Sequence, residues 1–95
     1  MLSLIVPDEL KDDVVDQLMT LECISGFNLD RMKGYSKAHS HFNINEQVEG
    51  YRALNRFEII HSNADEDLIL LSLKEICHTA QVRYWISPIT SSGHF

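Results

Sequence analysis

The sequence predicts an α+β fold, two successive strand–helix–strand units in the order β-α-β-β-α-β, forming a four-stranded antiparallel sheet with two helices on one face. Three observations carry this. Apolar, strand-like runs open and close the chain at 2–7 and 82–88. Two segments, 8 to about 20 and 65–76, repeat apolar residues at helical spacing. Between them two strand patterns follow one another with no helix, which is a hairpin. That order is the split β-α-β, ferredoxin-like plan, and 95 residues suffice for one domain spanning 1–95.

Each element has its own reason. LSLIVP at 2–7 is a short, mostly apolar run closed by Pro7, the pattern of a central strand covered on both faces. Asp8 follows at a predicted helix cap, with acids crowding the first turns as the helix dipole prefers. Leu10, Val14, Leu18 and Leu21 then define one helical face. Gly26 marks the turn out. From Phe27 odd and even positions alternate in character, as on a strand that is half-buried at first and solvent-exposed later. The run 42–50 reads as the loop back, with an exposed hairpin tip at about 39–50 predicted to be the least ordered internal segment. The strand 51–61 carries Leu54, Phe57, Ile59 and Ile60. Residues 62–65 offer several caps for the second helix, whose inward stripe is Ile69, Leu73 and Ile76. The last strand places Val82, Tyr84 and Ile86 on one face and Arg83, Trp85 and Ser87 on the other.

Charge narrows the function. The chain carries 14 acids and 8 bases, net −6 with neutral histidine, which argues against nucleic acid and anionic membranes as partners. The imbalance is local: residues 1–30 carry net −6, 31–61 net +2 and 62–95 net −2. An anion site would therefore be built in the middle segment, from Arg31, Lys33, Lys37, Arg52 and Arg56, which otherwise form a solvated hairpin paired with Glu46, Glu49 and Glu58. No run approaches the ~20 apolar residues of a membrane helix, and no secretory leader is visible. Cys23 and Cys77 lack a C-x-x-C partner and read as reduced, buried residues of a cytoplasmic protein.

His39-x-His41 is the most specific metal signal, because residues i and i+2 of a strand face the same way and both imidazoles can grip one ion. Two ligands do not complete a tetrahedral site, so a third would come from another subunit, from His94 or from water. Cys77-His78 offers soft ligands, but a small core thiol and a helix-terminal histidine explain the pair equally. Tyr84 and Trp85 suit sheet packing or a subunit interface. No G-x-S-x-G, H-E-x-x-H, phosphate loop or paired C-x-x-C occurs, and the acids Asp12, Asp13 and Asp16 read as a solvated helix face, so an enzyme is not expected.

Several segments together resemble the PII signal-transduction proteins and their relative CutA. Met32-Lys33-Gly34-Tyr35 resembles the V-K-G-F of the PII second strand, and Gly50-Tyr51-Arg52 falls near that family's Y-R-G return from its T-loop. Phe57-Glu58-Ile59-Ile60 with the helix 65–76 resembles its third strand and second helix, and Tyr84 to Ile89 resembles the closing I-F-V-x-P-V. The connection at 78–81 departs from the pattern: His78-Thr79-Ala80-Gln81 replaces the glycine-rich T-G-x-x-G-D-G that holds nucleotide phosphates, which counts against ATP and 2-oxoglutarate. The nearer likeness is to a small PII-like family encoded beside heavy-metal efflux pumps of the RND type. The resemblance implies a cytoplasmic homotrimer that senses a small ligand or a transition metal (copper, silver or zinc) and contacts a membrane efflux or regulatory protein through its hairpin, without inserting into the membrane. The alternative is a CutA-like metal buffer using His39 and His41.

Overall fold

The computed structural model of the chain describes residues 1–35, 51–78, 80 and 82–95. Strand β1 (Leu2–Pro7) runs directly into helix α1 (Asp8–Met19), and strands β2 (Asn28–Gly34) and β3 (Arg52–Ile59) follow. A 3-10 turn (Asn63–Asp65) leads into helix α2 (Glu66–Cys77), and strand β4 (Arg83–Ile86) closes the order. The sheet order is β2-β3-β1-β4 with every neighbouring pair antiparallel. This is the predicted α+β, ferredoxin-like arrangement, with β1 in the interior of the sheet.

Register fixes the faces. Leu4 lies opposite both Phe57 and Tyr84, and Leu2 opposite both Ile59 and Ile86. With Val6 these residues form the helix-facing side. The core is Leu2, Leu4, Val6, Phe57 and Ile59 from the sheet against Val14 and Leu18 of α1 and Ile69 and Leu73 of α2. Those four helical residues fall on the stripes that periodicity predicted. Leu10, Leu21 and Ile76 pack against the cluster from its margins, and the Phe27 ring meets Phe57 at 5.8 Å between centroids. The helices are joined to each other by Gln17, whose Nε2 donates to the hydroxyl (2.7 Å) and carbonyl (3.2 Å) of Ser72.

The opposite face carries Ser3 and Ile5 of β1, Leu54, Arg56 and Glu58 of β3, and Arg83 and Trp85 of β4. Ser3 and Ile5 are buried although no helix covers them; Ile5 has Arg56 and Arg83 as its cross-strand neighbours, and the long stems of arginines shield apolar surface. The whole of β1 is buried, as its mostly apolar run implied.

Two local expectations change. Pro7, in an extended conformation, occupies the cap position of α1, and no side chain caps that helix. Asp8 is the first helical residue and its carboxylate is engaged by β2 and β3 instead. At α2 the predicted caps form an extra 3-10 turn, with the Ser62 hydroxyl donating to Asp65 at 2.7 Å. The strands are also shorter than predicted: β3 stops at Ile59, and β4 covers four residues. The expected hairpin tip at 39–50 lies outside the described residues.

Candidate functional site

The β2–β3 ladder outruns the rest of the sheet. Strand β1 ends at Pro7, opposite Leu54, whereas β3 pairs two residues further, Ala53 with Lys33 and Arg52 with Gly34. Beyond the last pair the Tyr35 and Tyr51 rings meet at 6.0 Å, and the Lys33 ammonium lies 4.9 Å from the Tyr51 ring centroid. A Cβ at Gly34 would overlap Cδ1 of Leu54, so a side chain there would require the Leu54 side chain to shift. The ladder therefore runs two residue pairs beyond β1, with the Tyr35–Tyr51 contact at the edge of the described residues.

The root of this extension is tied to the start of α1. Because α1 begins immediately after β1, its first two acids arrive where the hairpin departs. Asp8 accepts a 2.7 Å hydrogen bond from Asn55 Nδ2 and a 3.0 Å bond from Arg31. Glu9 pairs with Arg52 at 3.5 Å. Asn55 is fully buried and also reaches the Val6 carbonyl at 3.4 Å, while its Oδ1 has no partner among the described residues. The Asn55 bond, with the Arg31 guanidinium adding to it, holds the Asp8 carboxyl below the usual carboxylate range against the opposing effect of partial burial. Across β2 and β3, Arg56 pairs with Asp30 at 3.0 Å, directly opposite it in the register.

The basic residues singled out from the sequence take separate positions. Arg31 and Lys33 stand opposite Asn55 and Ala53, on the helix side, whereas Arg52 and Arg56 belong to the other face. The three arginines of the pairs above are matched by Asp8, Glu9 and Asp30, acids of the N-terminal third, rather than by Glu58. Lys37, Glu46, Glu49 and the pair His39 and His41 lie outside the described residues. His94 is exposed in the C-terminal tail. Among the described residues no group of three or more His, Cys, Asp or Glu side chains is placed to hold a metal ion.

Both cysteines are half-buried against the core, and desolvation pushes the Cys77 thiol up. His78 ends α2 with Nδ1 at 3.1 Å from the carbonyls of Lys74 and Glu75. Tyr84 and Trp85 are both substantially exposed on β4, which has β1 on one side only. Among the described residues no helix is long and apolar enough to cross a membrane.

Sequence reasoning did not single out Asn55, the residue on which the root of the hairpin turns. A signal was present: Asn55 shares its strand parity with Phe57 and Ile59 and so is a polar residue aimed into the core.

A family described as "Protein of unknown function (DUF3240)" matches residues 1–95. Among solved structures the chain is similar to the crystal structure of a DUF3240 family protein from Shewanella baltica OS155. The two are 38% identical with a TM-score of 0.82, over 99% of this chain and 92% of that one. No curated protein matches the chain.

Proposed function

The chain belongs to the DUF3240 family, and we propose that it is a regulatory protein of the PII-like kind, a cytoplasmic homotrimer whose projecting hairpin contacts a partner protein. The observation that carries this reading is the β2–β3 ladder extending past the end of β1 to the Tyr35–Tyr51 contact. A projecting arm offers partner-binding surface without disturbing the core.

The root of the arm suits a ligand-responsive contact. Its ion pairs are exposed, and pairs of that kind contribute only about 0.2–1 kcal/mol each. An anionic ligand or an acidic partner can take Arg31 or Arg52 from Asp8 or Glu9 at little net cost. The half-buried Asn55–Asp8 bond is harder to break, so the domain holds its shape while the arm's charges are exchanged. Differential contacts of this kind bias a hairpin between conformations. Assembly through the helix-free face is supported by its partly exposed apolar members, Met32, Leu54 and Trp85, and by the small size of the domain.

A transition metal (copper, silver or zinc) is the proposed effector through His39 and His41, and an efflux or regulatory protein is the proposed partner. Light scattering at micromolar concentration tests the assembly, and a monomeric mass rejects it. Calorimetric titration with copper, silver, zinc, ATP, ADP and AMP tests sensing. Heat from one of these that disappears in the His39→Ala/His41→Ala variant supports metal sensing. Heat from none, together with a monomeric mass, rejects the regulatory reading.

A further inference from the structure

Away from the hairpin root, α2 and β4 flank an open groove of about 530 Å³, within the range that small-molecule sites occupy, roughly 300–1,000 Å³. We propose that this groove binds a small amphipathic carboxylate, its apolar body against Leu70, Leu73 and Val82 and its carboxylate at Lys74. The proposal stands apart from the hairpin reading, since it uses none of the same residues.

The polarity of the groove selects the ligand. Its floor is apolar, with Leu4 and Leu73 both part of the core. Charges are placed at two points of one helical face. Lys74 lies in the last turn of α2 and Asp67 in its first, seven residues or about 10 Å apart along the axis. Lys74 has no ion pair among the described residues, whose pairs are those of Lys11, Arg31, Arg52 and Arg56. A cation with no counter-ion over an apolar floor is complementary to an anion with an apolar tail. Asp67 repels the same anion from the other end and so fixes its direction. His78 forms the end wall, its ring held by the Nδ1 contacts to the Lys74 and Glu75 carbonyls. Tyr84 forms the outer wall and carries a phenolic donor. Burial keeps the Cys77 thiol neutral, so it adds apolar surface and no repelling charge.

Octanoate is the probe, with octylamine and octanol as controls, measured by calorimetry on the intact chain in its native association state. Saturable octanoate binding near one per chain, at least five-fold tighter than both octanol and octylamine, is expected. Lys74→Met should weaken octanoate at least five-fold and leave octanol unchanged, while Lys74→Arg retains binding. Leu71 is 64% exposed on the rim, so Leu71→Glu should fold normally and repel octanoate. Equal affinity for octanoate and octylamine, or an unchanged affinity in Lys74→Met, overturns the proposal. So does an absence of octanoate binding by the parent; a smaller assembly of Leu71→Glu in that case would make the groove a contact between copies of the chain.

Discussion

The Asp8–Asn55 bond is the most exacting test of how the hairpin root is built. Asp8→Ala removes the acceptor of a 2.7 Å bond from a fully buried amide. A hydrogen bond to a charged group contributes about 1.5–3 kcal/mol. The Asp8 side chain is 44% exposed, so water partly replaces the carboxylate and the lower end applies, about 1.5–2 kcal/mol. For a domain of this size that lowers Tm by about 6–16 °C. Loss of the Arg31 pair adds about 0.2–1 kcal/mol, and loss of an acid at the helix start adds a dipole contribution. A double-mutant cycle separates these. In an Asn55→Leu background the amide is gone, the ion pair and the dipole effect remain, and Asp8→Ala should cost about 1.5–2 kcal/mol less than in the parent. Urea unfolding at pH 7, followed by circular dichroism and Trp85 fluorescence, measures each corner. A cost that agrees in the two backgrounds to within about 0.3 kcal/mol refutes the role given to the bond. Protonation is the second arm. The Asn55 hydrogen bond holds the Asp8 carboxyl below the usual carboxylate range in the folded chain, so its contribution is complete above the unfolded pKa and is lost as pH falls through the lower, folded one. Asp8→Asn should therefore flatten the acid side of the stability profile below about pH 4.

The other predictions probe the packing and the proposed sites. Gly34→Ala should cost about 0.5–1.5 kcal/mol in urea unfolding by displacing the Leu54 side chain, and the cost should be smaller in a Leu54→Ala background. Cys77→Ser should lower stability by about 1 kcal/mol by placing a hydroxyl in a half-buried apolar site, and leave copper or zinc affinity unchanged by calorimetry. Arg52→Ala should cost less than about 1 kcal/mol, and the cost should shrink between 0.05 and 1 M salt, roughly as the Debye length shortens. Metal affinity, where titration detects it, should fall as pH drops through the histidine range, because protons compete for the same nitrogens, and should vanish in His39→Ala/His41→Ala.

Most of the fold was legible because burial leaves a periodic trace. Val14 and Leu18 in α1, and Ile69 and Leu73 in α2, are the buried members of stripes readable at spacings of three and four. The mostly apolar run 2–7 announced an interior strand because both its faces are shielded. Helix starts were less legible. Asp8 is an excellent cap by residue type, yet the chain passes from strand to helix with no intervening residue, so there is no room for a capping loop and the carboxylate turns to Asn55 and Arg31. Local preference lost to a tertiary contact that sequence spacing does not encode.

The hairpin root shows where a pattern of charge stops being informative. The segment 31–61 reads as a basic patch because five of its residues are cationic, and that composition suggests one anion site. Strand alternation divides Arg31 and Lys33 from Arg52 and Arg56. Chain order then brings Asp8 and Glu9, over twenty residues away from Arg31 and over forty from Arg52, against the two guanidinium groups. The excess of acid in residues 1–30 and of base in 31–61 is thus partly one feature: two segments of opposite sign folded together at the point where the arm leaves the sheet. Any anion that recruited these arginines would have to replace carboxylates already in place, and surface pairs of this kind contribute only about 0.2–1 kcal/mol each.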